Sequence, residues 1–100
     1  MTITKKLDGK DMTLELKGYL DTSTSPELKN LLNETMDSID TLILDFKNLE
    51  YVSSAGLRVL LTAHTTMGKK GGMKILHVNE EIMDSFTVTG LVGMLNIVKD

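Results

Sequence analysis

Cysteine and aromatic residues are scarce in this 100-residue sequence. It has no cysteine and no tryptophan, and only two tyrosines and two phenylalanines. The absence of cysteine excludes disulfides, thiol nucleophiles and thiolate metal sites, and it is compatible with a reducing compartment. Four aromatic side chains are too few to build a platform on which nucleic-acid bases stack. The core must therefore consist mainly of aliphatic side chains and methionine.

Long apolar runs and an excess of positive charge are also missing. No apolar segment approaches the roughly 20 residues that span a bilayer, and Met1–Lys6 has no signal-peptide core. Eleven Lys and Arg against fourteen Asp and Glu give a net charge of -3, which offers no general attraction to nucleic acid or to an anionic membrane. We therefore expect one cytoplasmic domain over residues 1–100 that has a protein partner, binds no nucleic acid and inserts into no membrane.

Five apolar segments have the length and composition of β-strands. They are Ile3–Leu7, Met12–Leu16, Thr41–Phe46, Met73–Val78 and Leu95–Val98. The first two flank a turn-forming group, and the alternation in the second predicts a hairpin with one wet face. The third is nearly continuous in apolar residues, which is typical of a central strand, and a turn is predicted directly after it at Lys47-Asn48.

Three further segments predict helices. The first begins with two overlapping signals, either a capping box from Thr24 or a cap at Ser25 followed by proline, and the sequence leaves this choice open. The second begins near Ser54, and the third follows Asn79 as N-cap. Because the second helix lies between the third and fourth strands, it predicts a parallel crossover and an α/β fold.

Two serines, Ser53 and Ser54, stand where the central strand leads into the second helix. Either hydroxyl could simply accept a backbone N–H as an N-cap, which is the ordinary role of serine at a helix start. Phosphorylation is the functional alternative, because a phosphate adds about -1.5 to -2 charges that the free N–H groups of a helix start favour. The helical register puts Ser54 on a polar stripe with Arg58, Thr62 and Thr65.

The sequence does not favour a serine hydrolase as the explanation for these serines. The sequence has no Gly-x-Ser-x-Gly elbow, and the two candidate bases lie on the apolar row of a helix (His64) and inside a strand (His77). Two histidines without cysteine do not predict a dedicated metal site, and Gly68–Gly72 lacks the order of a phosphate-binding loop. We therefore expect no catalytic residue, metal or cofactor in this chain.

With these residues in view, the chain resembles a STAS domain, and within that family the bacterial anti-sigma factor antagonists, over nearly its whole length. The segments that carry the resemblance are Gly18–Asp21, Leu42–Leu49, Tyr51–Arg58 and Val88–Leu91. The serine-rich stretch followed by Gly-Leu is the most specific of them. The resemblance implies a mixed sheet of four to five strands with helices packed mainly on one face.

The resemblance also implies a partner-switching module that is not an enzyme. In such systems the unmodified protein binds an anti-sigma factor and frees a sigma factor, and phosphorylation reverses the binding. The anti-sigma factor is commonly also a serine protein kinase, and a serine phosphatase restores the unmodified form, so ATP and metal belong to the partners. The alternative is a STAS module that regulates a transport complex or another signalling assembly.

Site residues follow from aligning the chain with the family on Gly56-Leu57. The phosphorylated serine of the family then falls on Ser54, with Ser53 as the alternative acceptor, and Asp21 and Asp45 fall on positions around it. Many relatives have aspartate immediately before the modified serine, where this chain has Ser53. The expected partner-binding residues are Asp21, Thr22, Ser53, Ser54, Ala55, Gly56 and Arg58.

Overall fold

Four strands and three helices follow one another in the structure, a computed structural model that describes residues 1–98. In chain order they are β1 Thr2–Asp8, β2 Asp11–Leu20, α1 Ser25–Thr35, β3 Thr41–Val52, α2 Ser54–Met67, β4 Met73–Leu76 and α3 Glu80–Val88. Short 3-10 turns occupy Met36–Ser38 and Leu91–Gly93. The last two positions of the predicted domain lie outside the described residues.

The strands form one mixed sheet in the order β1-β2-β3-β4. β1 and β2 pair antiparallel through a hairpin, in which Gly9 takes the left-handed φ of 64° that the turn requires. β2 pairs parallel with β3, and β3 pairs parallel with β4. The predicted α/β fold with a mixed sheet of four to five strands is confirmed with four strands, and so is the parallel crossover through α2.

One face of the sheet carries the core. Alternate residues of the central strands, such as Leu14 in β2 and Leu44 in β3, are fully buried and form one cluster with the apolar residues of all three helices. Neighbouring positions such as Glu15 and Asp45 point to the opposite face and stay partly exposed. The helices therefore pack on one face, as the resemblance implied.

Strand β3 is longer than the sequence predicted, and the turn expected at Lys47-Asn48 is wrong. The pairing with β2 shifts register twice. From Glu15 to Lys17 β2 advances by two residues while β3 advances by three, and from Gly18 to Tyr19 β2 advances by one residue while β3 advances by two. Each extra residue is a bulge that turns the following side chains by one position. Phe46, Leu49 and Val52 are therefore all buried although they are three residues apart, a spacing that hides the strand from a period-two pattern.

The C-terminal half differs from the prediction in two places. The expected strand Leu95–Val98 is reduced to a single parallel bridge between Ile75 and Ile97. β4 ends at Leu76, because His77 adopts a left-handed φ of 58° that cannot continue a strand. None of the helices in residues 1–98 is long and apolar enough to cross a membrane.

Candidate functional site

Helix α2 begins at Ser54, and Ser53 is its N-cap. The Ser53 hydroxyl accepts a hydrogen bond of 3.3 Å from the backbone N–H of Gly56, and the Ser53 N–H donates one of 2.8 Å to the carbonyl oxygen of Leu20. Ser54 is the first helical residue, is exposed, and makes no side-chain hydrogen bond with the part of the chain that the structure describes. The two serines therefore have different structural roles.

The cap explains why serine can replace aspartate before the proposed acceptor. Serine and aspartate are both preferred N-caps, because either side-chain oxygen accepts an N–H from the first turn. Ser53 performs this task here. The departure from the family pattern therefore leaves the helix start intact.

Gly56 lets helix α2 approach the ends of β2 and β3. A Cβ atom at this position would lie 2.8 Å from Cγ of Leu20, closer than real Cβ atoms come, and 3.0 Å from Cγ1 of Val52, which is tighter than most contacts. The residue is buried. Its place in the predicted partner-binding set is therefore indirect, since it positions Ser54 but presents no surface.

Asp21 organises the loop between β2 and α1, next to Leu20 and the start of α2. Its Oδ1 atom accepts hydrogen bonds from the Ser23 hydroxyl (2.7 Å) and from the N–H groups of Ser23 (2.9 Å) and Thr24 (3.0 Å). The bond from the Ser23 hydroxyl, followed by that from the Thr24 N–H, lowers the pKa of the Asp21 carboxyl. Asp21 therefore stays ionised at neutral pH and holds this loop.

Neither of the two caps predicted for α1 forms in the structure. Thr24 occupies the N-cap position, but its side chain does not cap the helix. The Thr24 hydroxyl instead donates to the Tyr19 carbonyl (2.7 Å) and accepts from the Asp21 N–H (2.9 Å), while the Ser25 hydroxyl donates to the Asp21 carbonyl (2.5 Å). Because these hydroxyls bond back to the loop, neither predicted arrangement forms. Asn79, by contrast, caps α3 as predicted, accepting from the N–H of Ile82 (2.8 Å).

Asp45 does not lie near Ser54, and the expectation that it surrounds the serine is wrong. β3 continues past Asp45 to Val52, which lies roughly 20 Å further along the strand. Asp45 instead pairs with Nδ1 of His77 (2.8 Å) and accepts from the N–H of Lys47 (3.0 Å). Burial raises the pKa of Asp45, but the bonds from His77 and Lys47 outweigh burial, so the pKa lies below its ordinary value.

A surface groove, the α2–α3 groove, separates the N-terminal half of α2 from α3. Its volume is about 470 Å³. Ser53 and Ser54 line it on one side, and Glu81, Asp84 and Val88 line it on the other. Both candidate acceptors therefore face α3.

A second groove, the α1–α2 groove, lies on the other side of α2. It contains cavities of about 370 and 110 Å³, and Lys29, Arg58 and Val59 line both of them. Thr22 and Ala55 line the larger one. The structure thus brings Thr22, Ala55 and Arg58 together in one groove and the two serines together in the other, with the start of α2 between them.

Sequence reasoning missed the residues that face this helix start from its neighbours. Lys29 on α1, and Glu81 and Asp84 on α3, lie on solvated helix faces in the sequence pattern. Glu81 and Asp84 are three residues apart and share one face, which is a detectable signal. Only the position of α3 across the groove from the start of α2 places that face opposite Ser54.

Within residues 1–98 the structure offers Ser54 no histidine base. His64 is about 15 Å further along α2, and its buried Nδ1 makes no hydrogen bond there, while His77 pairs with Asp45. No group of three or more His, Cys, Asp or Glu side chains in the described part of the chain is arranged to hold a metal ion. The Ser54 hydroxyl is exposed at the helix start, without a base or a metal-binding group beside it among the described residues.

Solved structures share the fold over almost the whole chain. An anti-sigma factor antagonist from Mycobacterium paratuberculosis superposes with a TM-score of 0.87 at 21% identity, covering 99% of this chain and 86% of the other. The Bacillus cell fate determinant SpoIIAA in its phosphorylated form gives a TM-score of 0.76 at 16% identity, covering 99% and 93%. Both likenesses establish the fold.

Sequence comparison points to the same group of proteins. The anti-sigma F factor antagonist of Paenibacillus polymyxa is 28% identical over 89 residues, which cover 86% of this chain and 76% of the relative. The model of the STAS domain matches residues 2–100. Since that match spans nearly every residue, the chain belongs to the STAS domain family.

Proposed function

We propose that this protein is an anti-sigma factor antagonist controlled by phosphorylation of Ser54. The observation that carries the proposal is that the two serines at the start of α2 have different roles. Ser53 is occupied as the N-cap, whereas the exposed Ser54 hydroxyl makes no hydrogen bond within the described residues. A kinase can therefore modify Ser54 without removing the cap of the helix.

The proposed partner of the unmodified protein is an anti-sigma factor, whose capture frees a sigma factor. Support comes from the relatives, one of which is an antagonist of anti-sigma F factor. In this proposal the anti-sigma factor is also the serine protein kinase, a serine phosphatase restores the unmodified form, and all of them meet in the cytoplasm. The chain itself is a binding module without catalytic residues.

The position of Ser54 favours a switch that keeps the fold. A phosphate at the first helical position lies beside the free N–H groups of the first turn, where negative charge is stabilising. The modification therefore leaves α2 folded, and its effect falls on the surface formed by the two grooves beside the helix start. A structural neighbour described in a phosphorylated form supports the view that this fold accommodates the modification.

The proposal is tested by finding the modified residue. The protein is incubated with ATP and its cognate anti-sigma factor kinase, and the phosphorylated peptide is sequenced by mass spectrometry. We expect phosphate on Ser54 in the wild type and in Ser53→Ala, and none in Ser54→Ala.

Capture of the same anti-sigma factor provides the functional readout. Wild type and Ser54→Ala should bind it, whereas Ser54→Asp should bind at least about tenfold more weakly, a difference of about 1.4 kcal/mol. Modification confined to Ser53, or equal capture by all three proteins, would contradict the proposal.

A further inference from the structure

The two grooves beside the start of α2 carry opposite charge. In the α2–α3 groove the charged lining residues of the described chain are the carboxylates of Glu81 and Asp84. In the α1–α2 groove they are the cations of Lys29 and Arg58. All four residues are exposed. A partner that covers the helix start therefore meets negative charge on one side and positive charge on the other.

Exposed apolar side chains mark the same region as a contact surface. Val88 is 86% exposed and Tyr51 is 43% exposed, and both line the α2–α3 groove. Large apolar side chains grouped in a groove and rimmed by charge are typical of protein interfaces. The occupant that this surface favours is accordingly another protein.

We infer that an acidic side chain of the anti-sigma factor occupies the α1–α2 groove between Lys29 and Arg58, and that a phosphate on Ser54 displaces it by pairing with Arg58. The inference rests on the proposed function, and it names the group that the phosphate replaces. An acidic side chain fits this groove because two cations line it and no carboxylate of the described residues does. The α2–α3 groove is closed to the same group by Glu81 and Asp84.

The direction taken by the phosphate follows from the same charges. Ser54 and Arg58 are four residues apart on α2, a spacing that brings side chains together on one face of a helix. Glu81 and Asp84 repel a phosphate on the α3 side, so the phosphate turns towards Arg58. Arg58 then serves in turn as the partner of a carboxylate in the complex and of the phosphate in the modified protein.

Pairing of the phosphate with Arg58 is tested by measuring the second pKa of the phosphate. This pKa is read by 31P NMR on full-length protein with phosphoserine incorporated at position 54 during translation. This sample needs neither the kinase nor the partner. Because Arg58 favours the dianion, Arg58→Gln should raise the second pKa of the phosphate by about half a unit. Glu81→Gln with Asp84→Asn should lower that pKa, and Lys69→Gln, which removes an exposed cation beyond the end of α2, should leave it unchanged. An unchanged pKa in Arg58→Gln would overturn the inference.

The acidic group of the partner is tested by binding of unmodified protein to its cognate anti-sigma factor. Arg58→Glu should weaken binding by tenfold or more, and Lys29→Glu should weaken it in the same direction, because each replaces a favourable charge by a repulsive one. Lys69→Glu, with the same change in net charge, should bind like the wild type. If the wild type binds and both Arg58→Glu and Lys29→Glu bind equally well, the inference is overturned but the proposed function is not. If the wild type does not bind, the proposed function is overturned together with the proposed acidic group of the partner. The pKa of the phosphate would still decide whether Arg58 pairs with the phosphate.

Discussion

The N–H of Ser53 donates a 2.8 Å hydrogen bond to the carbonyl oxygen of Leu20, which joins the start of α2 to the end of β2. The same residue uses its hydroxyl to cap the helix by accepting from Gly56. Both the backbone N–H and the side-chain hydroxyl of Ser53 are therefore engaged in structural hydrogen bonds. Its neighbour Ser54 is the first residue of α2 and is exposed.

Replacement of Ser53 by alanine should destabilise the protein by about 1 kcal/mol, because the N–H of Gly56 loses its capping oxygen. Ser54→Ala should change the free energy of unfolding by less than about 0.5 kcal/mol, as expected of an exposed side chain. Urea unfolding of the two variants measures this difference. Ser53→Asp is the matched control, since it keeps a capping oxygen. Equal stability of Ser53→Ala and Ser54→Ala would mean that Ser53 is not the cap in solution.

Replacement of Gly56 by alanine should destabilise the protein although alanine is the better helix former. Helix propensity alone would add about 1 kcal/mol of stability. The new methyl group would meet Leu20 and Val52 at 2.8 and 3.0 Å, and such overpacking costs typically about 1 to 3 kcal/mol. We expect a net loss of about 1 kcal/mol in urea unfolding.

The control for this prediction is Gly93→Ala, because nothing lies within 4 Å of a Cβ atom at position 93. Its free energy of unfolding should stay within about 0.5 kcal/mol of the wild type. A net gain of stability in Gly56→Ala would show that α2 does not pack this closely on the strand ends.

Replacement of Asp45 by asparagine should destabilise the protein in a pH-dependent way. The pKa of Asp45 is lower in the folded protein than the ordinary value of 3.8, so its ionised form stabilises the fold above that value. This contribution is lost as the pH falls through the folded-state pKa. We expect Asp45→Asn to cost about 1 kcal/mol at pH 7, since the pair with His77 is partly exposed, and the difference from wild type to shrink below about pH 4.

Urea unfolding at pH 7 and at pH 3 checks this prediction. Asp8→Asn removes the same charge from an exposed position in β1 and serves as the control. A stability difference between Asp45→Asn and the wild type that is the same at both pH values would contradict it.

Local patterns predicted most of the fold. The alternation of Met12, Leu14 and Leu16 is a property of one strand, and the cap at Asn79 is a property of one helix start, so each can be recognised without knowing its neighbours. The bulges in β3 cannot be recognised in this way, because they arise from its pairing with β2. They also explain why Asp45 was placed wrongly, since β3 was expected to end directly after it.

The candidate site was only partly predictable for the same reason. The sequence placed two serines at a helix start, but either hydroxyl could have been the cap, and only the backbone geometry assigns that role to Ser53. The charges of the two grooves depend on the packing of α1 against α2 and of α3 against β3, which brings Lys29 and Glu81 to opposite sides of the start of α2. No pattern within a single helix contains that information.

The dissociation constant of the complex between this protein and its cognate anti-sigma factor decides whether phosphorylation of Ser54 is a switch. Isothermal titration calorimetry would compare unmodified protein with protein that carries phosphoserine at position 54. We predict that the unmodified protein binds about 100-fold more tightly, a difference of about 2.7 kcal/mol. Equal affinity of the two forms, or tighter binding by the phosphorylated one, would contradict the account.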